Sequence, residues 1–179
     1  MKNKLKDLFE RSFHIFINAD VESILANVNE RNLCGRLSIH LSGLLNEYGL
    51  DNYFVDPEYN RKQDGRIKTI LDENFEVVTI NCDLILHSRG SRIEDDNLIA
   101  IEMKKSSRPQ AEKNSDRKRL RALTKSSFDD VWSADGQVHP EHVCNYKLGF
   151  YLELDIFTRT FIIEQYERGR MINEQALQF

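Results

Sequence analysis

Prolines, glycines and cysteines are scarce in this 179-residue sequence, which contains three, eight and three of them respectively. With so few prolines and glycines, long disordered stretches are not expected. Long hydrophobic runs are also lacking, since none approaches the ~18 apolar residues that a membrane-spanning helix needs. The first 16 residues carry charges throughout and have neither the apolar segment nor the small-residue cleavage site of a signal peptide. We therefore expect a cytoplasmic protein with no membrane partner.

The cysteines are Cys34, Cys82 and Cys144, an odd number at wide spacings. They form neither a disulfide framework nor a Cys-x-x-Cys zinc motif, and we interpret them as small buried residues in a reducing compartment. The histidines form no metal-binding pattern with them, and no phosphate-binding loop, GxGxxG motif or Ser/His/Asp order is present. The sequence therefore contains no motif that predicts zinc binding, nucleotide binding or serine-hydrolase activity.

Apolar residues make up 40% of the chain and charged residues 30%, as in ordinary soluble proteins, and the length fits one domain. The spacing of the apolar residues separates helical segments from segments with the composition of strands. The predicted helices cover residues 5–17, 20–27 (with Asp20 as N-cap), 30–48 and 111–125, and the predicted strands cover residues 53–60, 75–87, 97–104, 146–155 and 160–166. This order of elements predicts an α/β fold with a mixed central sheet.

The charge is unevenly distributed. The chain has a net charge of −4, but the segment Met103–Lys125 contains nine basic and two acidic residues and is therefore +7. A basic patch of this kind attracts phosphate even on an acidic protein. The alternative is a solvated helix face without a nucleic-acid partner.

The most informative residues are Asp83 and the tripeptide Glu102-Met103-Lys104, which begins 19 residues later. Side chains alternate along a strand, so Glu102 and Lys104 project to the same face. If the strands that carry Asp83 and Glu102 pair across the intervening loop, the two carboxylates lie side by side. A charged pair on an otherwise apolar strand needs a partner, because burying an unpaired charge is costly.

A divalent cation between Asp83 and Glu102 removes their mutual repulsion, and hard oxygen ligands suit Mg²⁺ or Mn²⁺. Lys104 would then contact the attacking water or a phosphate oxygen. This arrangement suits phosphodiester hydrolysis. The alternative is a surface ion pair between Glu102 and Lys104, worth ~0–1 kcal/mol.

In these residues the sequence resembles the PD-(D/E)xK nuclease superfamily, in which an Asp ends one strand and a (D/E)xK tripeptide lies on the next. Asp83 and Glu102-Met103-Lys104 match that pattern, while Cys82 stands where many members have Pro. The flanking segments Glu30-Arg31 and Glu58-Tyr59-Asn60-Arg61 are similar to those of bacterial members of unassigned role.

The resemblance covers roughly residues 30–155 and implies a restriction-endonuclease-like fold. Its three-layer core has the order helix, three strands, helix, strand. The expected organisation is a single nuclease domain over residues 1–179, with residues 1–29 as an N-terminal helical extension and residues 30–167 as the core.

The resemblance also implies the roles of individual residues. Asp83 and Glu102 would hold one or two Mg²⁺ (or Mn²⁺) ions with the Met103 backbone carbonyl, and Lys104 would complete the catalytic set. Glu30 matches a helical Glu that many members place near the metal, and it lies on the apolar line of its predicted helix. The alternative for Glu30 is an acid favoured by the helix dipole.

Basic residues around the motif are candidates for phosphate contacts. Surface solubility is the alternative role for each. The candidates are Arg61, Lys105, Arg108, Lys113, Arg117 and Arg121.

The expected function is therefore a Mg²⁺-dependent endonuclease that acts on nucleic acid, with DNA favoured over RNA, in defence or as a toxin. The small chain has no separate module for recognising a target, so a homodimer or a targeting partner is expected. Two alternatives remain. One is a non-catalytic nucleic-acid-binding or protein-interaction module on the same fold, and the other is a scaffold subunit whose basic helix binds an acidic partner.

Overall fold

The structure, a computed structural model, describes residues 1–58, 69–71, 77–79, 82–92, 95–125 and 145–179. In this part of the chain no helix is long and apolar enough to cross a bilayer. The described elements are α1 (Lys2–Ala19), α2 (Val21–Leu25), α3 (Glu30–Leu44), β1 (Phe54–Pro57), β2 (Thr69–Leu71), β3 (Val77–Thr79), β4 (Leu84–His87), β5 (Asn97–Lys105), α4 (Gln110–Thr124), β6 (Leu148–Asp155), β7 (Thr160–Glu167) and β8 (Arg170–Gln178).

Six of the strands form one sheet in the order β1-β4-β5-β6-β7-β8, and β2 and β3 form a separate two-stranded sheet. Neighbours in the main sheet are antiparallel except for β5 and β6, which are parallel. The crossover between these parallel strands contains α4, as such connections require. The predicted α/β fold with a mixed central sheet is confirmed, and the strand that carries Glu102, β5, lies inside the sheet between β4 and β6.

Helices cover both faces of the main sheet. On β6, Phe150 and Leu152 belong to the larger apolar cluster with the buried residues of α1 and α3. Tyr151, between them in sequence, points to the opposite face and packs with Leu120 and Leu123 of α4. The two faces therefore have separate cores.

The prediction of a single strand over residues 75–87 is wrong. β3 pairs with β2 in the small sheet, whereas β4 begins only at Leu84 and lies between β1 and β5. Val, Ile and Leu are frequent on both sides of the break, so composition does not mark it. The prediction of strand to residue 60 was also too long, because β1 ends at Pro57, and residue 60 lies outside the described part.

The end of α3 and the partners of the Asp20 side chain differ from prediction. α3 ends at Leu44, and turns follow it through Gly49. Asp20 precedes α2 as predicted, but its side chain makes no capping hydrogen bond. It accepts hydrogen bonds from Arg36 and His40 on α3 instead.

The sequence prediction missed β8, whose residues are exposed almost throughout. It forms a hairpin with β7 through Arg168 and Gly169, which have φ values of 50° and 75°. Two central residues with positive φ are characteristic of the tight turn that matches strand twist. Gly169 after a polar residue was the available signal for this hairpin.

Candidate metal and catalytic site

Asp83 immediately precedes β4, which pairs antiparallel with β5 so that Leu84 lies opposite Ile101. Its Oδ2 accepts a hydrogen bond of 2.9 Å from the backbone N–H of Met103. This hydrogen bond extends the contact between the two strands by one residue beyond the start of β4. It holds the Asp83 carboxylate beside the Glu102-Met103-Lys104 segment. The predicted pairing of these two strands is confirmed.

Glu102 is fully buried on the α4 face of β5. Its Oε1 accepts a hydrogen bond of 2.5 Å from Nη1 of Arg119, which lies on α4. Its Oε2 is buried and has no hydrogen-bond donor among the described residues. Burial, followed by the nearby charge of Asp83, raises the pKa of the Glu102 carboxyl well above its ordinary value.

Burial also raises the pKa of Asp83, and Glu102 is among its hydrogen-bonding neighbours. The two acids therefore lie side by side, as the motif predicted, with Glu102 fully buried and Asp83 partly exposed. One buried oxygen of this pair, Oε2 of Glu102, has no hydrogen-bond donor among the described residues. A proton or a cation at this point would relieve the repulsion between the two carboxylates.

Lys104 points to the same face as Glu102. Its Nζ lies 3.9 Å from Oδ2 of Asp83 and 2.9 Å from Oδ2 of Asp116 on α4. Burial by itself would lower the pKa of Lys104, but the charges of Asp83, Asp116 and Glu102 outweigh it and the pKa is raised. Lys104 is accordingly an ammonium, which donates hydrogen bonds and accepts none.

Arg119 connects the strand to the helix. Its Nη1 contacts both Oε1 of Glu102, at 2.5 Å, and Oδ1 of Asp116, at 3.1 Å. Asp116 and Arg119 are three residues apart, a spacing that brings side chains together on a helix. Asp116 of α4 therefore binds Lys104, and Arg119 of the same helix binds Glu102.

A second group of ion pairs joins α4 to β6 and β7. Nζ of Lys113 lies 2.8 Å from Glu153, and the guanidinium of Arg117 lies 3.2 Å from Glu153 and 2.6 Å from Glu164. Among the ion pairs of the described residues, the group around the motif has three carboxylates and two cations, an excess of one negative charge, whereas the second group has two carboxylates and two cations. The carboxylates are Asp83, Glu102, Asp116, Glu153 and Glu164, and the cations are Lys104, Lys113, Arg117 and Arg119.

Glu30, the tentative metal ligand, lies at the end of β5 near Lys105. Its Oε1 accepts hydrogen bonds from the backbone N–H of Lys105 and from Arg108, and its Oε2 accepts one from Arg108. Burial alone would raise the pKa of Glu30, but these hydrogen bonds outweigh it and the pKa is lowered. Both oxygens of Glu30 are thus already bound.

The candidate phosphate-binding residues do not form one exposed surface. Arg61 lies outside the described residues. Lys105 donates to Asn27, and Arg108 binds Glu30. Lys113 and Arg117 point inward to the network, whereas Arg121 is exposed. Most of the basic charge near the motif is therefore neutralised within the protein.

Arg119 is the site residue that the sequence prediction missed. A signal was present in α4, because Lys113, Asp116, Leu120 and Leu123 are all buried along one side of the helix. Charged residues on the same helical line as Leu120 and Leu123 indicate buried partners. The partner of Asp116 is the motif residue Lys104.

The sequence matches no protein-family model and no curated protein. Within the described residues, no group of three or more His, Cys, Asp or Glu side chains is arranged to hold a metal ion. A metal at this location would therefore have two carboxylate ligands, Asp83 and Glu102. Cys34 and Cys82 are buried free thiols, as the sequence predicted, and Cys144 lies outside the described residues.

Proposed function

We propose that this protein is a metal-dependent nuclease that hydrolyses phosphodiester bonds, with DNA as the favoured substrate. Asp83 and Glu102 hold the cation, and Lys104 is the third catalytic residue. The observation that carries this proposal is the buried Oε2 of Glu102, which has no donor among the described residues and lies beside a second carboxylate.

The donor set fits Mg²⁺ or Mn²⁺. Mg²⁺ in enzymes is commonly held by one or two carboxylates, and it keeps several waters and takes substrate phosphate oxygens as further ligands. The N–H of Met103 points to Asp83, and the N–H and C=O of one strand residue point to the same side. The Met103 carbonyl is thus available as a third protein ligand.

The excess negative charge of the ion-pair group around the motif supports the same assignment. A single divalent cation at Asp83 and Glu102 more than neutralises it. Asp83 and Glu102 would hold such a cation, and it would supply activation of water and stabilisation of the charge that develops on a phosphate. Lys104, held between Asp83 and Asp116, positions the nucleophile or a phosphate oxygen by donating hydrogen bonds.

The order of elements supports a restriction-endonuclease-like core. α3, β1, β4, β5, α4 and β6 follow one another as helix, three strands, helix and strand, with helices on both faces of the sheet. The small β2–β3 sheet is then an insertion between the first two strands of the core. β7 and β8 extend the sheet beyond the core.

Cleavage assays test the proposal. Plasmid, linear duplex DNA, single-stranded DNA and RNA are incubated with Mg²⁺ or Mn²⁺ and the wild-type protein, Asp83→Ala or Lys104→Ala. We expect cleavage that needs the metal and falls about 100-fold or more in both variants, because each loses several kcal/mol of transition-state stabilisation. Glu112→Ala, an exposed acid on α4, should cleave like the wild type.

The alternative is a non-catalytic interaction module. It is favoured by the cations that already bind the site carboxylates, with Arg119 on Glu102 and Lys104 on Asp116. In that case the ion pairs around Glu102 and Asp116 only stabilise the fold. Absence of cleavage of all four substrates, together with absence of Mn²⁺ binding by calorimetry, would establish this alternative and exclude the nuclease.

A further inference from the structure

We propose that Arg119 is a positioning residue that weakens and sets the affinity of the Asp83–Glu102 pair for its divalent cation. This inference rests on the proposed function. It assigns a role to a residue on α4 that lies outside the Asp83 and Glu102-Met103-Lys104 motif.

The contacts of Arg119 carry the inference. One nitrogen, Nη1, lies 2.5 Å from Oε1 of Glu102 and 3.1 Å from Oδ1 of Asp116. The Arg119 side chain is only 20% exposed and the Glu102 side chain is fully buried. A guanidinium in such a location keeps its charge at every working pH, so Glu102 always has a positive neighbour.

Arg119 donates a hydrogen bond to Oε1 of Glu102 and none to Oε2. Oε2 has no donor among the described residues, so it is the oxygen available to a cation. Glu102 can therefore bind the metal through a single oxygen while its other oxygen is fixed by α4. This fixes the orientation of the carboxylate before the metal binds. Losing such a contact by itself weakens metal binding, and the effect of the Arg119 charge outweighs this loss.

The charge of Arg119 has two opposing effects. In the protein without metal, it neutralises Glu102, whose burial next to Asp83 is otherwise unfavourable. With a divalent cation bound at Glu102, the positive charge of Arg119 repels that cation, and the protein interior screens this repulsion poorly. Removing the charge should consequently destabilise the metal-free protein and tighten metal binding, two changes of opposite direction from one substitution.

This combination distinguishes a positioning role from a purely structural one. A residue that only held the fold together would, when replaced, lower stability and weaken metal binding together. Arg121 is the matched control, because it is an arginine on the same helix with an exposed side chain.

The experiment measures Mn²⁺ affinity by isothermal titration calorimetry and thermal stability with and without Mn²⁺. The proteins are the full-length wild type, Arg119→Met, Arg119→Lys and Arg121→Met. For Arg119→Met we expect a lower Tm without metal, a Kd for Mn²⁺ about 10-fold lower, and a larger rise in Tm on adding Mn²⁺. Arg119→Lys, which keeps the charge, and Arg121→Met should bind Mn²⁺ as the wild type does.

The outcomes separate this inference from the proposed function. If the wild type binds Mn²⁺ and Arg119→Met binds it equally or more weakly, the inference is overturned and the nuclease proposal stands. If the wild type neither binds Mn²⁺ nor cleaves nucleic acid, both are overturned. Should Arg119→Met fail to fold, Arg119→Gln takes its place, because its amide still donates to Glu102 without carrying a charge, and the same tighter Kd is required of it.

Discussion

Phe150 and Tyr151 are neighbours on β6, yet their side chains enter different surroundings. Phe150 stacks on Phe9 of α1 with ring centroids 3.7 Å apart, in a cluster formed by apolar residues. The ring of Tyr151 instead lies 4.1 Å from the guanidinium carbon of Arg117, among the ion pairs that join α4 to the sheet. One face of the sheet is therefore held by apolar burial, and the other combines a small apolar cluster with a buried charge network.

Stability alone does not explain the difference. Replacing a buried ion pair by apolar residues of similar size is often neutral or stabilising, whereas removing one partner of the pair is costly. A domain that needed only stability would do as well with two apolar faces. The α4 face is also where Asp83, Glu102 and Lys104 meet, which agrees with a functional reason for keeping its charges.

The largest effect is expected on the apolar face. Phe9→Ala removes a side chain that is 1% exposed and stacked on Phe150, and it should lower the free energy of unfolding by about 3–5 kcal/mol. Urea unfolding followed by circular dichroism measures the loss. If the faces are independent, the folded variant should bind Mn²⁺ with wild-type affinity.

Ile15→Ala on the same helix is the control for Phe9→Ala. Ile15 is 38% exposed, so its truncation should change stability by about 0.5 kcal/mol or less. A weaker affinity for Mn²⁺ in folded Phe9→Ala would show instead that the apolar face positions the site through β5 and β6.

The next prediction concerns a charge cluster remote from the α4 face. Asp20 is 3% exposed, and its two oxygens accept hydrogen bonds of 2.5 Å from Arg36 and 2.6 Å from His40. Both oxygens are satisfied, unlike those of Glu102. Asp20→Asn should lower the free energy of unfolding by about 2 kcal/mol at pH 7, because hydrogen bonds to a charged group are lost, and should leave Mn²⁺ binding unchanged.

The pH dependence of this loss follows from the pKa of Asp20. Burial would raise that pKa, but the hydrogen bonds from His40 and Arg36 outweigh it and the pKa lies below its ordinary value of 3.8. An acid with a depressed pKa stabilises the fold above its unfolded pKa, and this stabilisation is lost as the pH falls through the folded pKa. Asp20→Asn should thus cost less near pH 3 than at pH 7, and an equal cost at both would contradict the assignment.

Local sequence patterns predicted the helices and the core strands well, because each has its own apolar period. α1, α4 and β5 match their predicted ranges to within a few residues. The break before Leu84 was not predictable in this way. Whether a Val- and Ile-rich segment pairs with β2 or with β5 depends on partners elsewhere in the chain.

At the site, too, local sequence patterns predicted some contacts and did not predict those between residues far apart in the chain. The motif predicted that Asp83, Glu102 and Lys104 would come together, and Asp83 does bind the Glu102–Lys104 segment. The orientation of the basic residues was not predicted. Arg117 points inward because Glu153 and Glu164 lie on strands 36 and 47 residues further along the chain, and no local pattern encodes such a contact.

The smallest and most discriminating effect is expected at Glu102 itself. Burial and the charge of Asp83 raise the pKa of the Glu102 carboxyl above its ordinary value of 4.5. Such an acid favours the fold below its unfolded pKa, and this contribution is lost as the pH rises through the folded pKa. Glu102→Gln cannot ionise, its amide oxygen can still accept the hydrogen bond from Arg119, and Arg119 keeps its ion pair with Asp116. Without metal this variant should therefore be more stable than the wild type at pH 7 by about 1 kcal/mol.

Glu153→Gln provides the contrast, because Glu153 lies on the same face but has both oxygens bound, Oε1 by Lys113 and Oε2 by Arg117. Its replacement should destabilise the protein, whereas Glu102→Gln stabilises it and weakens Mn²⁺ binding. Opposite signs in urea unfolding would mean that the network contains one carboxylate kept for binding at a cost in stability. Equal losses in the two variants would make Glu102 an ordinary member of a structural network, and the comparison between the two faces would then concern packing alone.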